Sequence, residues 1–196
     1  MPDVEPGPSA RQVELLEAAY TYVLANGLAD LSLRPLATAI GSSPRVLMFL
    51  WGSKDGLIGA LLRRAREDEL RFLARLDRAD GAAPADLARS VELVWSWLAD
   101  AEHRPLLRLW AESYARSLVE PEGPWAGFAR ATVADWLDVL ATAQPALARD
   151  GADGPARRTL ALAVLRGALL DLLATDDEPR VTGAVALQLN LLRAPR

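Results

Sequence analysis

The chain has 196 residues, 51% apolar and 24% charged, with a formal net charge of -4. That is soluble globular composition, long enough for one generous domain or two small ones. It has no cysteine and one histidine, His103, which excludes disulfides, thiolate metal sites and Fe–S clusters and argues against a Ser-His-Asp triad. The acidic total argues against a general nucleic-acid coat, but a total can hide a local patch.

Ala, Leu and Arg dominate and β-branched residues are sparse, so the chain reads as helical throughout. Its start, Met1 to Pro8, is acidic and Pro-rich and reads as a disordered lead-in without signal-peptide character. Ser9 caps a helix over 10–25 whose inner face is Val13, Leu16, Ala19, Tyr20 and Val23, closed by Asn26-Gly27. Ser32 caps a short second helix to about Ile40, with Pro35 tolerated in its first turn. After Gly41-Ser42, Ser43 caps a third helix with Pro44 at its first position, ending near Trp51-Gly52. Ser53 caps a long fourth helix over 54–78.

Beyond the Asp80-to-Pro84 break, helices are expected over 85–100, 104–119, 124–140, 155–173 and 179–192. No apolar run approaches the roughly 20 residues that span a bilayer. The expectation is therefore a cytoplasmic, all-α chain of about nine helices with no membrane partner.

Charge divides unevenly along this chain. Residues 1–31 carry net -4, and residues 32–66 carry Arg34, Arg45, Lys54, Arg63, Arg64 and Arg66 against Asp55 alone, net +5. The remainder carries net -5. One small face suited to phosphates is the expected result. The two short helices around Ile40-Gly41-Ser42-Ser43 have the length and turn of a helix-turn-helix. Leu33, Leu36, Ala37, Ile40, Leu47 and Trp51 would be buried, leaving Arg45, Val46, Met48 and Phe49 outward.

The stretch from Gly27 to Ala37, the run Gly41-Ser42-Ser43-Pro44-Arg45-Val46-Leu47, and the step Gly52-Ser53-Lys54-Asp55-Gly56-Leu57-Ile58 together resemble the DNA-binding domain of TetR-family transcriptional regulators. The resemblance covers roughly residues 10–60. It implies a DNA-binding unit over 1–53 and a ligand-binding and dimerisation unit over 54–196. It places Ser32 near phosphate, Arg34 where some members read a base, and Ser43, Pro44, Arg45, Val46, Met48 and Phe49 on the recognition helix. Lys54, the sole lysine of the chain, matches a phosphate-contacting lysine. Met48 stands where the family usually has Tyr, and Leu50 where it often has His. Loss of the Tyr hydroxyl removes one hydrogen bond of order ~1 kcal/mol.

The resemblance further implies a homodimer on a palindromic double-stranded operator, released by a small-molecule effector. The helix over 155–173 is apolar nearly all round and must be covered on every side. Central burial would do this. A symmetric four-helix interface with the last helix is the preferred reading, through Leu162, Leu165, Leu169, Leu173, Val185, Gln188 and Leu192. Gly167 and nearby alanines permit close approach.

Five of six tryptophans lie in the body, and Trp95, Leu98, Trp110, Tyr114, Phe128 and Trp136 are the candidate lining of an apolar effector pocket. The rival reading for each is core filling. His103 reads as a solvated or capping residue, and Asp176-Asp177-Glu178 as acids complementing a helix N-terminus. No phosphate loop, nucleophile elbow or metal-ligand spacing occurs, so no cofactor, metal site or enzymatic activity is expected. The functional expectation is a ligand-responsive repressor. The alternative is a helical small-molecule-binding or interaction protein that has lost sequence-specific DNA binding.

Overall fold

The computed structural model describes residues 7–76, 86–142, 144 and 149–193. Among these residues there are nine α-helices and no strand: α1 (Ala10–Asn26), α2 (Leu33–Ala39), α3 (Pro44–Trp51), α4 (Lys54–Leu76), α5 (Leu87–Ala99), α6 (Arg104–Val119), α7 (Phe128–Thr142), α8 (Gly154–Thr175) and α9 (Glu178–Arg193). Residues 1–6 of the expected N-terminal lead-in, the end of the fourth helix at Arg78 and the Asp80-to-Pro84 break lie outside the described residues.

Local chemistry sets most of these boundaries. The Ser9 and Ser43 hydroxyls accept the N–H groups of Gln12 at 3.2 Å and Val46 at 3.3 Å, and Ser53 accepts that of Gly56 at 2.9 Å. Ser32 precedes α2 without a side-chain cap. Its hydroxyl is left exposed, and only its carbonyl enters the helix, accepting the Leu36 N–H at 3.2 Å. The helix expected over 124–140 is broken. A 3-10 turn occupies Gly123–Trp125, and Gly127 at φ 75° separates it from α7. Ser117 of α6 then accepts the Ala129 N–H at 3.1 Å. The break lets Trp125 and Phe128 both enter the N-terminal core.

Two cores organise the molecule. The first gathers Ala19, Tyr20, Val23, Leu28, Leu36, Ala37 and Leu47 from the N-terminal helices, with Leu57, Ile58 and Leu61 of α4. The division expected at residue 54 thus falls inside this core, because the start of α4 completes it. On α1 the buried series is Leu15, Ala19 and Val23 with Tyr20, while Val13 is exposed. Val13 lies two residues from Leu15, which on a helix is the opposite face. Leu47 is the one buried residue of α3, and Leu33, Ile40 and Trp51 are half-buried.

The angle between α3 and α4 depends on Gly56. A Cβ there would lie 2.1 Å from the Trp51 carbonyl oxygen, so any side chain forces the two helices apart.

The second core joins α5, α7, α8 and α9 through Val91, Val94, Leu98, Trp136, Leu140, Ala161, Leu165, Leu172, Val181 and Val185. Helix α6 belongs to both. Leu109 packs into the first core and Leu107 into the second, and Trp110 touches each. Among the described residues no helix is long and apolar enough to cross a membrane.

Candidate nucleic-acid interface and ligand cavity

Helix α3 stands on the first core by Leu47 and presents its other face to solvent. Arg45, Val46, Met48 and Phe49 are all exposed, and Phe49 is 86% exposed. Burying Leu47 stabilises this orientation by about 1.5–3 kcal/mol. The C-terminal end of α3 is pinned from α1, where the Gln12 amide donates to the Leu50 carbonyl at 3.3 Å. Leu50 itself is half-buried, and Pro44 is half-buried at the first position. Ser32, Arg34, Ser43 and Lys54 are exposed beside this helix in sequence and flank its two ends.

The basic segment divides in two. Arg64 is engaged by Glu17, at 2.5 and 3.0 Å, and by Asp68, while its guanidinium lies 4.7 Å above the Tyr20 ring. Arg66 is held by Asp135 at 2.6 and 2.8 Å. These two arginines clamp helices together, and their charges are neutralised by partners that the segment's own arithmetic omits. Arg34, Arg45, Lys54 and Arg63 are exposed and make no ion pair among the described residues. Four outward cations thus remain of the six.

In the body, a cavity opens between α4, α5, α6, α7 and α8. Its free volume is about 30 Å³, room for about two waters, and Trp97, Leu98, Leu107, Trp110, Trp136, Leu162, Leu165 and Leu169 form the apolar walls. Two charged residues also line it, Glu69 and Arg166. Glu69 is 7% exposed and accepts the Trp136 indole N–H. Burial pushes its carboxyl up to about 7, against the lowering effect of that hydrogen bond. Arg166 donates to the Tyr114 hydroxyl at 3.3 Å and lies 5.1 Å from the Tyr114 ring centroid. Desolvation lowers its pKa.

Of the six residues expected to line a pocket, Leu98, Trp110 and Trp136 do so. Trp95 turns the other way, and its indole N–H donates to Thr182 of α9 at 2.9 Å. Phe128 packs in the first core. Tyr114 stands behind Trp110, ring centroids 5.0 Å apart, and meets the cavity through Arg166. Glu69, Trp97 and Arg166 were not expected. Arg166 had one sequence signal, a charge interrupting an apolar helix. Glu69, in the charged run Arg66-Glu67-Asp68-Glu69, had none.

The expected dimer face needs correction. Leu162, Leu165, Leu169, Val185 and Gln188 are buried within the subunit, and Leu173 and Leu192 are half-buried. All of these but Gln188 build the second core, and three of them wall the cavity. The apolar face left open is the opposite one: Leu160, Ala163, Gly167 and Leu170 on α8, with Ala184, Leu187 and Leu191 on α9. Sequence showed that α8 is apolar all round but could not say which side its own subunit covers.

Two minor sites resolve into structure. His103 stacks on Trp97 with centroids 4.4 Å apart, its Nδ1 2.9 Å from the Trp97 carbonyl. Asp176 pairs with Arg104 at 2.8 Å, and Asp171 with Arg180. Asp177 caps α9 by accepting the Arg180 N–H at 3.3 Å.

A small helical head with an exposed, cation-flanked helix is joined to a helical body that holds an apolar cavity. The fold is that of the TetR family. A TetR transcription regulator from Haloarcula marismortui superposes with a TM-score of 0.70 at 20% identity, covering 90% of this chain and 93% of that one. The multidrug binding protein EbrR, complexed with proflavin, gives a TM-score of 0.63 at 24% identity over 91% of this chain and 99% of that one. In sequence, the chain is 26% identical over 112 residues to the HTH-type transcriptional regulator BetI of Paraburkholderia xenovorans. That match spans 57% of this chain and 57% of the relative's own length. No protein-family model matches the chain.

Proposed function

We propose that this protein is a ligand-responsive transcriptional repressor that binds a palindromic operator as a homodimer. Residues 1–53 supply the DNA-reading unit and 54–196 the effector and dimer unit, with the start of α4 shared between them. The observation that carries the reading is the position of α6. One face of this helix packs in the core under the recognition helix, and another lines the cavity.

A polar tie strengthens that link. Glu112 of α6 accepts the Leu28 N–H at 3.0 Å, in the loop between α1 and α2. The loop fits there because Gly27 sits at φ 77°, where a Cβ would come 3.2 Å from the same carboxylate. An effector that displaces α6 therefore carries the head with it. Two heads on one duplex must match two half-sites about one helical turn or a multiple apart. An effector favouring a different spacing shifts the population away from the DNA-bound form.

On this reading Arg45, Val46 and Phe49 contact base edges, with Arg34 beside them, and Lys54, Ser32 and Ser43 contact phosphates. Dimerisation uses the open α8–α9 face, which a second copy covers by two-fold symmetry. The similarity to HTH-type regulators and to a multidrug-binding protein supports both halves of the proposal.

Retardation of genomic DNA fragments across a range of salt is the deciding experiment. Specific retention with a steep salt slope is expected. No preference over random DNA at any salt refutes the repressor and favours a helical ligand-binding protein that has lost operator recognition. Met48 is the observation behind that second reading. It is exposed on the recognition helix and offers a thioether in place of a hydroxyl donor.

A further inference from the structure

We propose that the cavity takes a flat, apolar monoanion, a carboxylate above all, gripped side-on by Arg166. This rests on the ligand-binding reading above and names its chemistry.

The cavity is short of acceptors. Arg166 Nη1 reaches the Tyr114 hydroxyl, but Nε and Nη2 are buried and have no hydrogen-bond partner. These two nitrogens lie along one edge of the guanidinium and send parallel N–H groups in one direction. Two carboxylate oxygens match that edge. The Trp110 indole N–H, on the same cavity wall, is a third buried donor without a partner. Unpartnered buried donors are costly, so the site is completed by a group that only accepts.

Charge points the same way. The carboxylate in the cavity, Glu69, is committed to the Trp136 indole, and burial holds it half-neutral near pH 7. Arg166 is therefore incompletely balanced. A cationic ligand would pair with Glu69 alone, leave all three donors unpartnered, and sit beside a like charge. The remaining walls, Trp97, Trp136 and Leu98, are apolar and close on a space of about 30 Å³, so a flat hydrocarbon body enters by parting these side chains.

Anion binding is then coupled to protonation of Glu69. The groups that act on Glu69 are Arg66 on α4, Asp135 on α7 and Arg166 on α8. Asp135 is already held by Arg66. Ionised Glu69 repels an anion and neutral Glu69 does not, so affinity for the anion rises as pH falls through about 7.

Calorimetric titration of the full chain with three ligands of one shape tests this: 2-naphthoate, 2-naphthamide and 2-naphthylmethylammonium. At pH 6.5 the naphthoate is expected to bind about tenfold or more tighter than either of the others. Arg166→Met should abolish that preference and leave naphthamide within about threefold. Arg166→Lys, which keeps the charge and loses the fork, should fall between, and it carries the test if the Met variant does not fold.

Equal binding of the three, preference for the ammonium, a preference that survives Arg166→Met, or no binding of any of them overturns the inference. DNA retardation reads the repressor proposal separately. Specific retention without an anion preference removes only the anion, whereas an anion preference without specific retention removes only the repressor.

Discussion

Glu69→Gln should abolish a pH dependence of stability that the wild-type protein carries. The Glu69 carboxyl is 7% exposed, and burial moves it from 4.5 to about 7. It therefore holds its proton more tightly folded than unfolded. The resulting stabilisation is fully present below about 4.5 and is lost as pH rises through about 7. At 1.36 kcal/mol per pH unit, the difference comes to about 3 kcal/mol, of which about 2.5 kcal/mol falls between about pH 5 and pH 8. Glutamine keeps the shape, its carbonyl still accepts the Trp136 N–H, and it does not titrate. Urea unfolding followed by tryptophan fluorescence at fixed protein concentration measures the effect. The variant should gain about 2.5 kcal/mol on the wild type between those pH values. A constant gap across the range would mean that the carboxyl is ionised in the folded protein already, and would refute both its desolvation and the half-neutral cavity.

Four further outcomes follow from other parts of the molecule. Lys54→Ala should weaken binding to specific and random DNA alike and lower the salt slope by about 0.9 per subunit, whereas Arg45→Ala should narrow the gap between them; unchanged binding in both places the interface elsewhere. Leu47→Ala removes the single buried anchor of α3 and should cost about 2–5 kcal/mol in chemical unfolding. Glu112→Ala removes a charge-assisted bond to the Leu28 N–H and should speed hydrogen exchange at that amide by about ten- to a hundredfold, while amides of α5 and α8 keep their rates. Leu187→Glu combined with Leu191→Glu places charge on the open α9 face and should give monomers by sedimentation; an intact dimer would exclude that face from the interface.

The head was largely legible because its determinants are local. Hydroxyl caps at Ser9, Ser43 and Ser53, Pro44 at a first helical position and the Gly41-Ser42 turn each act within a few residues. Helix boundaries came within two or three residues wherever such a signal existed. They failed at Gly127, where the requirement to bury both Trp125 and Phe128 overrides a run that reads as helix. The inner face of α1 was displaced for the same kind of reason. Val13 and Leu15 are equally apolar, and only the neighbouring helices select Leu15.

The body was legible as composition and not as geometry. An all-round apolar α8 establishes that every side must be covered, while the assignment of sides is made by α5, α7 and α9 packing against it. Hence Leu162, Leu165 and Leu169 line a cavity and the outward row is Leu160, Ala163, Gly167 and Leu170. Glu69 and Arg166 are separated by nearly a hundred residues and meet only in the folded body.

The dominance of Ala, Leu and Arg by itself determined a helical fold, and the absence of cysteine and a lone histidine by themselves left little scope for thiol chemistry or a histidine-based metal site. The +5 segment located its basic head. Which of those cations face outward was decided by tertiary structure, since Arg64 and Arg66 are neutralised by Glu17, Asp68 and Asp135 from elsewhere in the chain. The physical reason is one of range. Caps, turns and helical periodicity act over a few residues and are written in order, whereas pairing and burial depend on groups that only folding brings together.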